Sequence, residues 1–299
     1  DLHLSLRRQR QMCIRDRTLT IGDDIFDLSG IWQYAVTAEA DRDCPFEDFV
    51  RWKPTGLYNA MLAPCFPYAV RAVLWYQGES NTGDYAMRYG DELKAMIELW
   101  RGKWHQPDMP FLIVQLPKFG IDAIEDGGWP LIREQEWRVA DELEHVAAVV
   151  TLDAGESNDL HPHDKKTIAD RAFNVAMDFV YGQQAQPQPV VETAEADDGL
   201  LRMHCVWRNS MGEQMQSQNR HLMTLDGDVP REIDFLWHDC ATSVRAEAWL
   251  DGCDIVARIP SRMPDEVRYA WSNSPESGLI CDGDGVLLPP FHLPLPMVD

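Results

Sequence analysis

Apolar positions fall into two patterns along the chain, and each predicts its own kind of element. Ala69–Tyr76, Pro110–Leu116 and Val146–Leu152 are dense in apolar, β-branched and aromatic side chains, as expected of strands buried on both faces. Between them apolar residues recur at three- and four-residue steps. Tyr85, Tyr89, Leu93, Met96, Ile97, Trp100 and Trp104 do so within Asp84–Trp104, and Ile132, Val139, Ala140 and Leu143 within Pro130–His145. Such spacing draws one face of a helix, and the second helix has Pro at its start, where no amide hydrogen is needed. A third helix is expected over Pro162–Tyr181. Apolar strands separated by helices predict an α/β fold, a parallel sheet with helices on both faces.

The pattern changes at Gly182–Pro189 (GQQAQPQP), a Gln/Pro-rich linker. Short segments then alternate with the pairs Asp226-Gly227, Asp251-Gly252 and Asp282-Gly283, which favour tight hairpin turns. Val244–Leu250 and Ile255–Ile259 flank one of them and are expected to pair. Residues 187–299 therefore read as a small C-terminal antiparallel β unit, and 18–186 as the α/β part. The first stretch, 1–17, fits neither: it carries five arginines against two acids and no periodic apolar face. We expect it to be a disordered or non-native leader.

Charge narrows the partners. The 299 residues carry a net charge of −22, which argues against a general binder of nucleic acid or anionic membrane. No run of 18 apolar residues suggests a membrane span, and 1–17 has no apolar signal-peptide core. Seven cysteines without a CxxC pair support neither a zinc knuckle nor a complete disulfide framework.

Reacting groups in an open α/β sheet lie on loops past the carboxyl ends of its strands. Two such loops are rich in chemistry: Gln77-Gly78-Glu79-Ser80-Asn81 after the first strand, and Asp153–Pro162, ending Asp159-Leu160-His161-Pro162, after the third. An amide-rich loop beside an acid–histidine loop supplies what ester acyl transfer needs: oxyanion donors, a base and a carboxylate to orient it. Each piece has a plainer reading. His161 could be a surface residue at a helix start, Gln77–Asn81 a turn, and Asp159, His161, His163 and Asp164 a metal cluster. The last lacks a separated third ligand group. On residue type alone Ser80 leads as nucleophile, while Ser157, four residues from His161, shapes its loop.

Taken together, Thr55-Gly56-Leu57-Tyr58-Asn59-Ala60-Met61-Leu62-Ala63-Pro64, Trp75-Tyr76-Gln77-Gly78-Glu79-Ser80-Asn81 and Asp159-Leu160-His161-Pro162 with Lys165 resemble the sialate O-acetylesterase family of SGNH-type carbohydrate esterases. Leu28–Tyr34 and Val267–Pro275 match as well, so the likeness runs from about Leu28 to the C-terminus. It implies an SGNH-hydrolase-like three-layer fold and an acetylated sugar or glycan as substrate, with no cofactor and no metal. By resemblance Gln77, Gly78 and Asn81 form the oxyanion wall, and Gly56 and Asn59 line the acyl pocket. His161 would be the general base oriented by Asp159, with Asp153 the runner-up because the family spacing is wider.

One departure matters. The family's nucleophile lies in a Gly-Gln-Ser-Asn block on the first strand, and an oxyanion glycine follows the second; neither block occurs here. A βαβ unit of about thirty residues does not fit between the leader and the first match. The expectation is a C-terminal piece of a family member, weakly active or inactive alone. The family is often exported, so the same is expected of the full protein. The rivals are a polysaccharide (xylan-type) acetyl esterase and a non-catalytic carbohydrate-binding protein.

Overall fold

A computed structural model describes residues 18–21, 24–27, 54–120, 128–156, 158–183, 187–215, 220–240 and 243–295. The leader 1–17, the Leu28–Tyr34 match and Ser157 lie outside them. The chain divides into two compact units, Asp1–Ala60 and Met61–Asp299. In the first, β1 (Thr18–Ile21) and β2 (Asp24–Asp27) pair antiparallel.

The second unit opens with the parallel sheet. Strands β3 (Val73–Trp75), β4 (Phe111–Val114) and β5 (Val146–Val149) lie in that order, all parallel. Helices α1 (Ala86–Trp104), α2 (Trp129–Glu142) and α3 (Lys165–Phe179) connect or follow them. Alternation along β4 explains the layering. Phe111 and Ile113 join Tyr89, Leu93 and Ile97 of α1 and Ile132 and Val139 of α2 in one apolar cluster. Leu112 and Val114 join Ile168 and Ala172 of α3 in another. Along β4, α1 and α2 thus pack on one side and α3 on the other, whereas Leu74 of β3 is 58% exposed and Tyr85, at the mouth of α1, is 61% exposed. Trp75, Trp100, Trp104 and Phe111 make edge or tilted ring contacts, so these tryptophans are packing residues.

The C-terminal β part is larger than expected. One antiparallel sheet has the order β11 (Ala248–Asp251), β12 (Asp254–Arg258), β7 (Leu200–Arg208), β6 (Gln188–Asp197). A second has the order β10 (Val244–Arg245), β9 (Ile233–Leu236), β13 (Glu266–Tyr269), β15 (Phe291–Pro294). A short pair, β8 (Leu222–Thr224) with β14 (Ile280–Asp282), accompanies them. Leu201, Met203, Cys205 and Trp207 of β7 share one buried cluster with Ile233 and Phe235 of β9 and Val267 and Tyr269 of β13. Val150 and Leu152, just past β5, belong to the same cluster, which ties the β part to the α/β core.

The hairpin at Asp251-Gly252 forms, with Leu250 opposite Ile255, but it begins at Ala248. Val244 and Arg245 pair instead with β9, where Arg245 lies opposite Asp234 and is ion-paired to it at 2.7 Å. Asp226-Gly227 closes no hairpin, since β8 pairs with β14 and Asp226 accepts from the Gly278 amide at 2.9 Å. The longest hairpin, β6 to β7, turns on Asp198-Gly199, with φ of 46° and 75°, the left-handed pair that a two-residue turn demands.

Candidate functional site

Because β3, β4 and β5 run parallel, the segments after all three leave from one edge of the sheet. The Gln77–Asn81 turn follows β3 and the Asp153–Pro162 loop follows β5. Between them the segment after β4 touches both sides. Leu116 abuts Gly78, and the Lys118 amide donates to the Ala154 carbonyl at 3.0 Å. Gly155, at φ 101°, passes so close to the Lys118 carbonyl that a Cβ would lie 2.5 Å from it. Only glycine fits there.

The turn is held from inside and below. Gln77 Nε2 donates to Asn81 Oδ1 at 2.9 Å, and the Asn81 amide donates to the Gly78 carbonyl at 2.9 Å. The Tyr89 hydroxyl of α1 donates to the Gln77 carbonyl at 2.5 Å while accepting from Trp75 Nε1 at 3.1 Å. The Gly78 amide donates to Glu79 Oε2 at 3.0 Å. Gln77, Gly78 and Asn81 are therefore brought together in one network. Ser80 is exposed on the short helical turn Glu79–Asn81.

The other loop is organised by its acids. Asp159 Oδ1 accepts from the backbone amide of His161 at 2.8 Å, and its Oδ2 lies 3.3 Å from Nε2 of His163. The carboxylate thus grips the His161 backbone and faces the ring of His163. Glu156 accepts from the His163 amide at 3.2 Å. Asp153, the alternative acid, is gripped by the Arg171 guanidinium through both terminal nitrogens, one at 2.8 Å. Asp164 caps α3 through the Thr167 amide at 3.0 Å, so the helix entrance belongs to Asp164. His161 is exposed, and Leu160 beside it packs against the α1–α2 cluster. Among the described residues no three His, Cys, Asp or Glu side chains converge as a metal site, and no helix is long and apolar enough to cross a membrane.

Gly56 and Asn59 belong to the first unit, where the Asn59 amide donates to the Thr55 carbonyl at 2.9 Å and Asn59 Nδ2 to Thr55 Oγ1 at 3.3 Å.

Several residues that build the edge escape a reading by motif. Tyr76 packs against the α3 cluster with Lys165 Nζ 5.0 Å from its ring centroid. Burial, followed by the carboxylates Glu79, Glu136 and Glu156, pushes its hydroxyl well above the ordinary tyrosine range. Arg133 of α2 is fully buried and donates to the carbonyls of Leu116 (2.8 Å), Pro117 (3.1 Å), Ser272 (2.9 Å) and Asn273 (2.9 Å). Burial lowers its pKa to about 10. Glu136, one turn on, is fully buried beneath Gly78. The available signal was their spacing: both charges sit on the stripe of α2 that Ile132 and Val139 define.

The family described as carbohydrate esterase, sialic acid-specific acetylesterase, matches residues 47–171. Sialate O-acetylesterase of Mus musculus is 30% identical over 79% of this chain and 47% of its own length. Over residues 47–171 the chain matches the sialate O-acetylesterase family, a family of carboxylic ester hydrolases. The human sialate O-acetylesterase is also 30% identical, over 50% of this chain and 33% of its own. A crystal structure of a carbohydrate acetylesterase from Xanthomonas citri superposes with a TM-score of 0.69 at 30% identity, covering 79% of this chain and 53% of that one. The chain spans about half the length of the curated relatives it matches.

Proposed function

We propose that this chain is the base-bearing part of a carbohydrate O-acetylesterase, which hydrolyses acetyl esters on sugars such as sialic acid by serine-type acyl transfer on an SGNH-like three-layer fold. The observation that carries the reading is the common edge. An amide-bearing turn and an acid–histidine loop flank the segment after β4, within a chain that matches this family. His161 takes the proton of the attacking serine, Asp159 orients it, and Gln77, Gly78 and Asn81 stabilise the oxyanion. The bidentate hold of Arg171 on Asp153 favours Asp159 as the acid. The pairing of Asp159 with His163 makes His163 the control for His161.

The absence of a Gly-Gln-Ser-Asn block in the sequence supports a nucleophile supplied from outside these residues. On this reading 1–17 is a leader foreign to the family, 18–186 part of the esterase domain and 187–299 a β-rich domain, and the full protein is exported. The test compares acetyl release from an acetylated sugar by this chain and by the chain extended with its contiguous upstream coding sequence. Activity is expected only in the extended form, abolished by His161→Ala and largely kept in His163→Ala. An inactive extended form, or indifference to His161, would overturn the reading. Turnover by the chain alone that Ser80→Ala removes would make Ser80 the nucleophile.

A further inference from the structure

Gly78 is pressed against α2. A methyl group on its Cα would lie 2.8 Å from Ile132 Cγ2 and 3.3 Å from both Leu116 Cγ and Glu136 Oε1. The carboxyl of Glu136 is completely buried; Oε2 accepts from the Leu116 amide at 3.0 Å, and Oε1 has no hydrogen-bond partner. Arg133, the nearest cation on the same helix, spends its donors on four backbone carbonyls. An ionised carboxylate sealed from water with one accepted hydrogen bond is very costly, and a protonated one costs far less.

We propose that Glu136 is a positioning residue for the Gln77–Asn81 turn, a proton-bearing acid that supports the Gly78 backbone at the carboxyl edge. The role rests on the acyl-transfer reading of that turn and adds to it. Every charged or titratable group around Glu136 fits the assignment. Glu79, on the turn itself, already places its carboxylate on the Gly78 amide. Two carboxyls share one glycine, and only the more exposed can hold a charge at low cost. From α1 comes Tyr89 and from the end of β3 comes Tyr76, both phenols that burial keeps protonated. Burial likewise drives the Glu136 carboxyl far above the ordinary range, against the smaller opposing pulls of the Leu116 amide and Arg133.

The experiment uses glutamate-labelled protein and follows carboxyl carbon shifts and backbone amide exchange by NMR. At pH 7 one glutamate carboxyl should still show the protonated shift, and that signal should vanish in Glu136→Gln. Exchange of the Gly78 and Asn81 amides should stay near wild type in Glu136→Gln and rise at least tenfold in Glu136→Ala. A full set of ionised glutamates at pH 7 overturns the proposal, and so does unchanged exchange in Glu136→Ala. If the alanine variant does not fold, the wild-type carboxyl signal and the glutamine variant decide. Neither readout needs turnover. Failure of the esterase reading would instead appear as an inactive extended protein with the buried acid still protonated.

Discussion

Arg133 offers the most direct test of how the site edge is assembled. Its guanidinium joins α2 to the segment after β4 and to the Ser272-Asn273 strip of the β part. Replacing it with Met keeps the volume and removes four charge-assisted hydrogen bonds. The acceptors do not suffer equally. The Pro117 carbonyl still accepts from Trp129 Nε1 at 2.7 Å, and the Asn273 carbonyl from the Phe119 amide at 3.1 Å. Leu116, fully buried, and Ser272, half-buried, are left with orphaned carbonyls. At about 1–3 kcal/mol for each orphaned group, with Ser272 at the low end, the gross loss is about 2–5 kcal/mol. Against it stands relief from burying a cation: a guanidinium pKa lowered to about 10 corresponds to about 3 kcal/mol.

Arg133→Met should therefore change stability little, between about 1 kcal/mol of gain and about 2 kcal/mol of loss, once the orphaned carbonyls are weighed against that relief. Arg133→Lys should be worse, because the ammonium keeps the burial cost and cannot reproduce the fork that reaches four carbonyls. Urea unfolding of both variants measures the order, and exchange of the Phe119 amide reports whether the Ser272-Asn273 strip has detached. A lysine variant as stable as wild type would refute the reasoning, since charge alone would then suffice.

Two other perturbations test neighbouring contacts. Tyr89→Phe removes the donor to the Gln77 carbonyl and the acceptor of Trp75 Nε1. It should cost about 1–3 kcal/mol in thermal or urea unfolding and broaden the Gln77–Asn81 resonances, and a neutral effect would show the turn to be held elsewhere. His292 places Nδ1 3.1 Å from Glu134 and Nε2 2.7 Å from Glu266. The Glu134 hydrogen bond and then that of Glu266 raise its pKa against burial. With the folded pKa above the unfolded one, its contribution is complete below the unfolded value near 6.5 and fades as pH rises through the folded value. Melting temperatures from pH 5.5 to 9 should fall less steeply in His292→Gln than in wild type; equal slopes would contradict the pairing.

The parallel core was legible along the chain because its physics is local. Strands buried on both faces must be apolar throughout, as in Val146–Val149, and helices lying on a sheet must repeat their apolar side, as Tyr89, Leu93 and Ile97 do. The two chemical loops were legible for the same reason, since the carboxyl end of each strand follows from strand direction. Partner choice was not. Whether Val244 pairs with β12 or β9, and whether Asp226 closes a hairpin or accepts from Gly278, depends on segments distant in the chain. Nor could a motif show that Asp153 is spent on Arg171, that Asp159 faces His163, or that two ionisable side chains of α2, Arg133 and Glu136, are fully buried. A charged side chain reads as surface until the fold supplies what surrounds it: four carbonyls for Arg133, and for Glu136 the backs of Gly78 and Leu116. The periodic pattern settled which faces are buried, and only the packed structure decided which polar groups went in with them, because that depends on partners brought together from far along the chain.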